Sequence, residues 1–269
     1  MSRFTAKWLT LRERYDLAAR NSKVLGEVTA LLKSAALVHV VDLACGSGST
    51  VRALHAHLPT RQHWDLVDND PDLLALACNH DFDKGVTLNT VQLDLSRNVE
   101  TALVNTINLI TTSALLDLVS QTWLHQFSRM VAARALPVYA ALTYDGRTGL
   151  SPADPLDAAI VFAVNMHQRT DKGFGPALGP SAAGSAIACF ESLGYSVVIG
   201  ESDWVIGPDD RTMQNELLGG WANAARDMRT RSGAEIACWL TRRKALVTEG
   251  LSSMRVGHVD FFAFPSSMR

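Results

Sequence analysis

A run of β-forming residues, His39-Val40-Val41, ends in the acid Asp42 and passes at once into a small-residue turn, Leu43-Ala44-Cys45-Gly46-Ser47-Gly48. Glycines in such a turn let backbone approach a ligand closely, and a helix start behind it offers unpaired N–H groups. Asp68 follows Gly48 by twenty residues, where a carboxylate ending the next strand can accept hydrogen bonds from both hydroxyls of a ribose. Asp94 ends a third candidate strand, from which an acceptor can reach an exocyclic adenine amine, and Ser113 ends a fourth. In an open α/β sheet, ligands sit beyond the carboxyl ends of the strands, at the point where strand order reverses. The four positions therefore point to one cleft that holds a nucleotide-type ligand.

The elements that must position these residues are legible as alternating periodicities. Candidate strands cover residues 37–43, 63–67, 86–93, 107–112 and 137–143, with helical stretches at 49–58, 72–79 and 115–135 between them. In the last of these Trp123, Phe127 and Met130 share a face. Repeated strand-helix-strand units imply a parallel sheet with helices on both faces, because right-handed crossovers return each strand beside another. Two amphipathic helices precede the sheet. Trp8, Leu11, Tyr15 and Ala18 form one stripe, and Val24, Val28, Leu31 and Ala35 the next. After the fifth strand, Asp154-Pro155 predicts a helix start that places Ile160, Ala163 and His167 on one face. A loop rich in glycine and proline spans 173–180, Ser181 is positioned to cap another helix, and a strand is expected at 195–199. Two helices are expected within 209–249 and a final strand at 256–264, where His258, Asp260, Phe262 and Phe264 alternate onto one face. Repeats and linkers are absent, so residues 1–269 read as one domain. Residues 1–36 form its N-terminal helices, 37–147 its ligand-binding core and 148–269 a substrate-side portion.

Composition narrows the function. A chain of 269 residues with a formal net charge of -2 carries no overall electrostatic footprint for nucleic acid, and a small-molecule partner is expected. The four cysteines, Cys45, Cys78, Cys189 and Cys238, lack C-x-x-C or other metal spacing, so no metal is expected and the thiols suit a reducing cytoplasm. No apolar run approaches the roughly 18 residues of a membrane helix. Charges at Arg3, Lys7, Arg12, Glu13 and Arg14 deny the first segment a signal-peptide apolar centre.

The stretch 38–145 resembles the class I S-adenosylmethionine-dependent methyltransferases, with a weaker match at either end. The resemblance rests on Asp42-Leu43-Ala44-Cys45-Gly46-Ser47-Gly48, on Val67-Asp68-Asn69-Asp70-Pro71 and on Leu93-Asp94-Leu95. It implies a Rossmann-like three-layer α/β/α sandwich. Its sheet would be mostly parallel and seven-stranded, with an N-terminal helical cap and a helical insert before an antiparallel last strand. It also implies S-adenosylmethionine as cofactor. The glycine turn (Ala44, Gly46, Ser47, Gly48) and Asp42 would take the methionine part, Asp68 and Asn69 the ribose side, and Asp94 and Leu95 the adenine. Ser113 would lie beneath the reacting methyl group. Ala44 departs from the family, which has glycine there; alanine permits close approach provided its φ is negative.

Two other readings remain. A nicotinamide-dependent oxidoreductase shares the turn and the acid, but would want glycine at Val51 for close helix-strand packing. A non-catalytic relative could bind the cofactor as a regulatory module. On the methyltransferase reading, residues 111–117 lack the Asn/Asp-Pro-Pro-Tyr/Phe motif of amino-directed DNA enzymes, and no Pro-Cys pair offers a cytosine C5 nucleophile. The expected acceptor is then an O or N atom of a small molecule. Candidate catalytic residues are His167, Tyr144 and Asp117, and candidate substrate contacts are Tyr15, Arg20, Asp145 and Lys172. His167 suits a base because its pKa lies near neutrality.

Overall fold

The computed structural model describes residues 4–82, 84–103 and 106–268; Arg3 lies outside them. The chain opens with α1 (Ala6–Ala19) and α2 (Ser22–Leu32). Thr5 starts α1 by accepting the Trp8 amide at 3.2 Å. The Asn21 side chain accepts the Lys23 and Val24 amides, which ends one helix and begins the other.

The core alternates β1 (Val38–Leu43), α3 (Ser49–Leu54), β2 (Gln62–Asp68), α4 (Pro71–Ala77), β3 (Val86–Gln92), α5 (Leu95–Asn98), β4 (Leu109–Ser113), α6 (Gln121–Ala133) and β5 (Val138–Ser151). Then follow α7 (Asp157–His167), α8 (Ala182–Ser192), β6 (Tyr195–Glu201), β7 (Trp204–Ile206), α9 (Arg211–Met228), α10 (Gly233–Thr248) and β8 (Ser253–Pro265). The strands form one sheet in the order β3-β2-β1-β4-β5-β8-β6, with β7 paired to β8 off that path. β1 to β5 are mutually parallel, whereas β8 runs antiparallel to both β5 and β6. Order reverses between β1 and β4, so the ligand edge opens there.

Helices cover both faces. α2, α3 and α4 bury Val28, Val51 and Leu74 against one face, and α6 and α8 bury Phe127 and Phe190 against the other. A third apolar cluster lies beyond the ligand edge. There α7, α9 and α10 pack around Trp239 and Met213 against Tyr15 and the outer part of β8. Arg243 is fully buried in this region; its guanidinium pairs with Asp157 and donates to Pro152 O at 2.6 Å.

Expectation and structure part at several places. An eighth strand, β7, joins the sheet, and β5 runs to Ser151, across the 147/148 division. The β5–β8 register shifts between Ala140 and Thr143, and Leu142 takes a φ of 54° there. The fully buried Asp260 accepts the Leu142 amide at 2.7 Å, the Asn21 amide at 2.9 Å and the Tyr139 hydroxyl at 3.1 Å, so the Leu142 donor at the bulge is satisfied. Helix α6 starts at Gln121 rather than 115, because Ala114 turns the chain through a φ of 52° and Ser120 caps the Trp123 amide. Asp154 accepts the Leu156 amide, yet α7 begins only at Asp157. Ser181 precedes α8 without capping it; its hydroxyl donates back to Leu178 O. No described helix is long and apolar enough to cross a membrane.

Candidate active site

β1 delivers the chain into a turn in which Ala44, Gly46 and Gly48 all take positive φ, at 54°, 54° and 83°. The negative φ expected for Ala44 is therefore corrected. The turn is so tight that alanine itself enters the left-handed region, at a cost of roughly 1–2 kcal/mol relative to glycine. A Cβ added to Gly46 would lie 3.2 Å from Leu9 Cδ1, and one added to Gly48 would lie 3.1 Å from Ala77 Cβ. Gly46 thus faces the cleft beneath α1, while Gly48 serves the packing of α4. Asp68, at the end of β2, accepts the Gly46 amide on Oδ2 at 2.9 Å and the Asp70 amide on Oδ1 at 3.0 Å. The carboxylate is locked against the turn, 8% exposed, with lone pairs remaining on both oxygens.

Around it lies a cleft of ≈ 140 Å³. Ala44, Gly46, Asp68 and Asn69 form one side, and Leu73, Leu93 and Leu95 make an apolar slot. Ser113, Ala114 and Leu115 line the β4 end, Lys172 and Phe174 overhang it, and Phe4, Leu9 and Arg12 close it from the N-terminal side. A smaller neighbouring cavity adds Asp16, Ser47 and Thr50. Helix α1 is tied to the turn: Glu13 takes both Nε and Nη2 of Arg52, whose Nη1 donates to Ser47 O at 2.6 Å.

Among the residues expected to bind a cofactor, Ala44, Gly46, Asp68, Asn69, Leu95 and Ser113 line the cleft and Ser47 its neighbour. Asp94 stands at the start of α5, where its Oδ1 accepts from the Ser96 amide and hydroxyl. Asp42 is fully buried beneath the turn. It accepts from Thr111 Oγ1 at 2.8 Å and leaves Oδ2 without a partner. Burial pushes its carboxyl up to about 7, against the pull of Thr111 and Arg20.

The acceptor-side candidates do not form a single cluster. Tyr144 donates its hydroxyl to Asn165 Oδ1 at 2.7 Å, and burial raises its pKa to about 12. Asp145 is bound by Arg147 in an exposed ion-pair group at a separate surface depression. Tyr15 packs on Trp204, and Arg20 Nη1 donates to the Tyr139 hydroxyl at 3.3 Å. Lys172, by contrast, reaches the cleft; its Nζ donates to Thr170 Oγ1 at 3.0 Å and lies 3.4 Å from His167 Nδ1. His167 Nε2 lies 3.6 Å from Asp227. Burial lowers the pKa of both His167 and Lys172. Asp117 is buried with Oδ1 unpartnered; burial lifts it to about 6, while Arg12 and Lys172 pull the other way.

Sequence reasoning missed Arg12 and Asp16. Their bidentate pair on α1, at 2.8 and 3.1 Å, walls the smaller cavity beneath Trp204, and the i, i+4 spacing was the available signal. The buried His258 lies between Tyr144 and Trp204; the sequence placed it only among the residues that alternate on one face of the last strand.

A nicotinamide-binding Rossmann sheet continues parallel in the order 3-2-1-4-5-6. Here the strand beside β5 is antiparallel, and the Val51 side chain, fully buried, occupies the place where such a domain wants glycine. Among solved structures, the chain superposes on a proposed type II methyltransferase from Anaeromyxobacter dehalogenans with a TM-score of 0.53 and 16% identity, covering 90% of this chain and 95% of that one. It also matches a cyclopropane-fatty-acyl-phospholipid synthase-like protein from Lactobacillus casei, with a TM-score of 0.51 and 12% identity over 97% and 94% of the two chains. The fold is that of the class I methyltransferases. Within the class I fold this sequence stands apart: no family model matches it, and no curated protein matches it in sequence.

Proposed function

We propose that this class I fold is a methyltransferase that uses S-adenosylmethionine to methylate an O or N atom of a small-molecule acceptor in the cytoplasm. The observation that carries the reading is Asp68, a carboxylate held in the cleft by the Gly46 amide where strand order reverses. The donor set suits the cofactor. Asp68 would accept the ribose hydroxyls, the slot of Leu73, Leu93 and Leu95 would take the adenine, and the turn at Gly46 and Ser47 would pass along the methionine portion. When bound, the cofactor supplies a methyl group already activated on a sulfonium.

The chain's own task is alignment, dehydration and proton removal. Phe174, Leu115 and Leu118 present an apolar wall to the acceptor. Alignment against such a wall can account for roughly 7–11 kcal/mol of the barrier. Arg12 is committed to Asp16, so Lys172 is the cation available to the acceptor among the described lining residues. Burial lowers the pKa of His167, and its Nδ1, 3.4 Å from Lys172 Nζ, would take the acceptor's proton. Asp227 steadies the resulting imidazolium. Acceptor proton removal of this kind is worth about 10²–10⁴-fold. His167→Ala should therefore cut turnover within that range while leaving S-adenosylhomocysteine affinity unchanged.

Four free thiols support the cytoplasmic placement. The test is incubation with isotope-labelled S-adenosylmethionine and a metabolite extract, followed by mass spectrometry. A labelled small molecule is expected. Calorimetric binding of NADH without binding of S-adenosylhomocysteine would overturn the reading in favour of an oxidoreductase, and cofactor binding with no labelled product would favour a regulatory module.

A further inference from the structure

At the end of β1 and β2 remote from the cleft, parallel pairing sets His39 opposite His63, with Asp65 two residues on along the same strand. All three side chains leave one face of the sheet, and their ligand-capable atoms lie within 4.8 Å of one another. The hydrogen bonds around them define which nitrogen each ring offers. His39 Nδ1 lies 2.7 Å from Thr106 O, a carbonyl that can only accept, so Nδ1 carries the proton. His63 Nδ1 lies 3.0 Å from Thr87 Oγ1, whose single proton is given to Gln62 O at 3.1 Å. That hydroxyl must therefore accept, and His63 is also protonated at Nδ1.

Both rings consequently turn Nε2 toward the same carboxylate. His39 Nε2 lies 2.7 Å from Asp65 Oδ2 and His63 Nε2 3.5 Å from Asp65 Oδ1. Two imidazole nitrogens and a carboxylate converge within 4.8 Å of one another, the spacing at which one cation can be held by all three. We infer that His39, His63 and Asp65 form a binding site for a divalent transition metal of the zinc type, separate from the methyl-transfer cleft.

Two imidazole nitrogens and one carboxylate are the ligand types this class of ion takes, at about 2.0–2.2 Å. Tetrahedral geometry at that radius spaces donors by about 3.3 Å; the His63–Asp65 pair, at 3.5 Å, is close to this, and the His39–Asp65 pair, at 2.7 Å, would open by about half an ångström to admit the ion. The outer contacts also match those of metal sites, in which each ligating histidine gives its other N–H to an oxygen and the carboxylate is itself hydrogen-bonded. Thr106 O and Thr87 Oγ1 play the first part. Asn89, whose Nδ2 donates to Asp65 Oδ1 at 2.7 Å, plays the second. His39 and Asp65 are largely buried while the His63 side chain is 39% exposed, so the ion has an entry path and solvent can complete its coordination.

The test uses tag-free protein stripped with a chelator and titrated with Co²⁺, then with Zn²⁺, followed by visible absorption and calorimetry. One equivalent of Co²⁺ should bind with the d–d bands of a low-coordinate N/O site, and one equivalent of Zn²⁺ should displace it. His63→Ala, at the most exposed ligand, should keep the wild-type circular dichroism and weaken binding by at least about 100-fold. Asp65→Asn should do the same. S-adenosylhomocysteine affinity should not change in either variant, so this test and that of the methyl-transfer reading fail independently. Absence of stoichiometric binding at micromolar metal would overturn the inference and leave a proton-bridged histidine–aspartate pair. Wild-type binding by His63→Ala would also overturn it, because the ion would then be held elsewhere.

Discussion

Replacing Asp68 with alanine tests the functional reading at its most exposed point. Its carboxylate already holds two backbone amides, at 2.9 and 3.0 Å. Each carboxylate oxygen offers two lone-pair sites, so one remains on each for a ribose diol. A hydrogen bond to a charged group contributes about 1.5–3 kcal/mol net. If one such bond dominates, Asp68→Ala should raise the dissociation constant for S-adenosylhomocysteine by about 10- to 150-fold. The same change strands the Gly46 amide, so the loss should fall in the upper part of that range. Asp68→Asn preserves volume but turns an amide nitrogen toward one of the two backbone donors, and should lose a comparable amount. Isothermal titration calorimetry reads the effect directly. Asp145→Ala serves as control, because Asp145 belongs to the Arg147 ion-pair group away from the cleft. A folded Asp68→Ala protein with wild-type affinity would remove Asp68 from the binding site and refute the argument built on it.

Ala44→Gly should stabilise the fold by about 1 kcal/mol in urea denaturation, since a φ of 54° strains alanine and not glycine; a loss of stability would mean that the alanine methyl packs usefully. His258 is held to about 3 by burial, with Arg12 adding to the effect, against about 6.5 in an unfolded chain. Between those values only the unfolded state takes the proton, so stability falls as pH drops from 6.5 toward 3, by up to roughly 4–5 kcal/mol; His258→Gln should flatten that limb of the pH–stability curve. Arg243→Ala should cost about 3 kcal/mol by leaving the partly buried Asp157 without its counter-ion, and Arg243→Met combined with Asp157→Leu should be far less damaging in the same denaturation assay.

The strand-helix alternation was readable because apolar runs such as Val38–Leu43 end abruptly in an acid or a turn, and those acids stand at the ligand edge. The short β7 was not, because Trp204–Ile206 is too brief to carry a period. Residues 115–118 mimic a helical stripe, but backbone reversal at Ala114 restarts the helix only after Ser120. That Asp68, Gly46 and Ser113 share one cleft could be read from position along the chain alone. The partnership of Arg12 with Asp16 and Trp204, and the reach of Lys172 into the cleft, depend on how α1 and the loop after α7 settle over the sheet. Those contacts are tertiary, and local pattern does not encode them. Cross-strand sets such as His39, His63 and Asp65 are hidden further, since a slip of one residue in register would send His39 to the opposite face.

The antiparallel β8 carries a consequence for how the molecule assembles. It pairs Ala263 with Val138 at one end and Ser253 with Ser151 at the other, joining the parallel half of the sheet to the cluster formed by α7, α9 and α10. During translation, β5 emerges long before its neighbour does, and its edge waits unpaired while α7 to α10 are made. Loop-closure entropy across so distant a pair makes the step slow, and the open edge invites chaperone capture or aggregation in the interval. Arrest of synthesis shortly before β8 should therefore yield a nascent chain whose outer β5 segment is open to protease, with protection arriving only when that final strand leaves the ribosome.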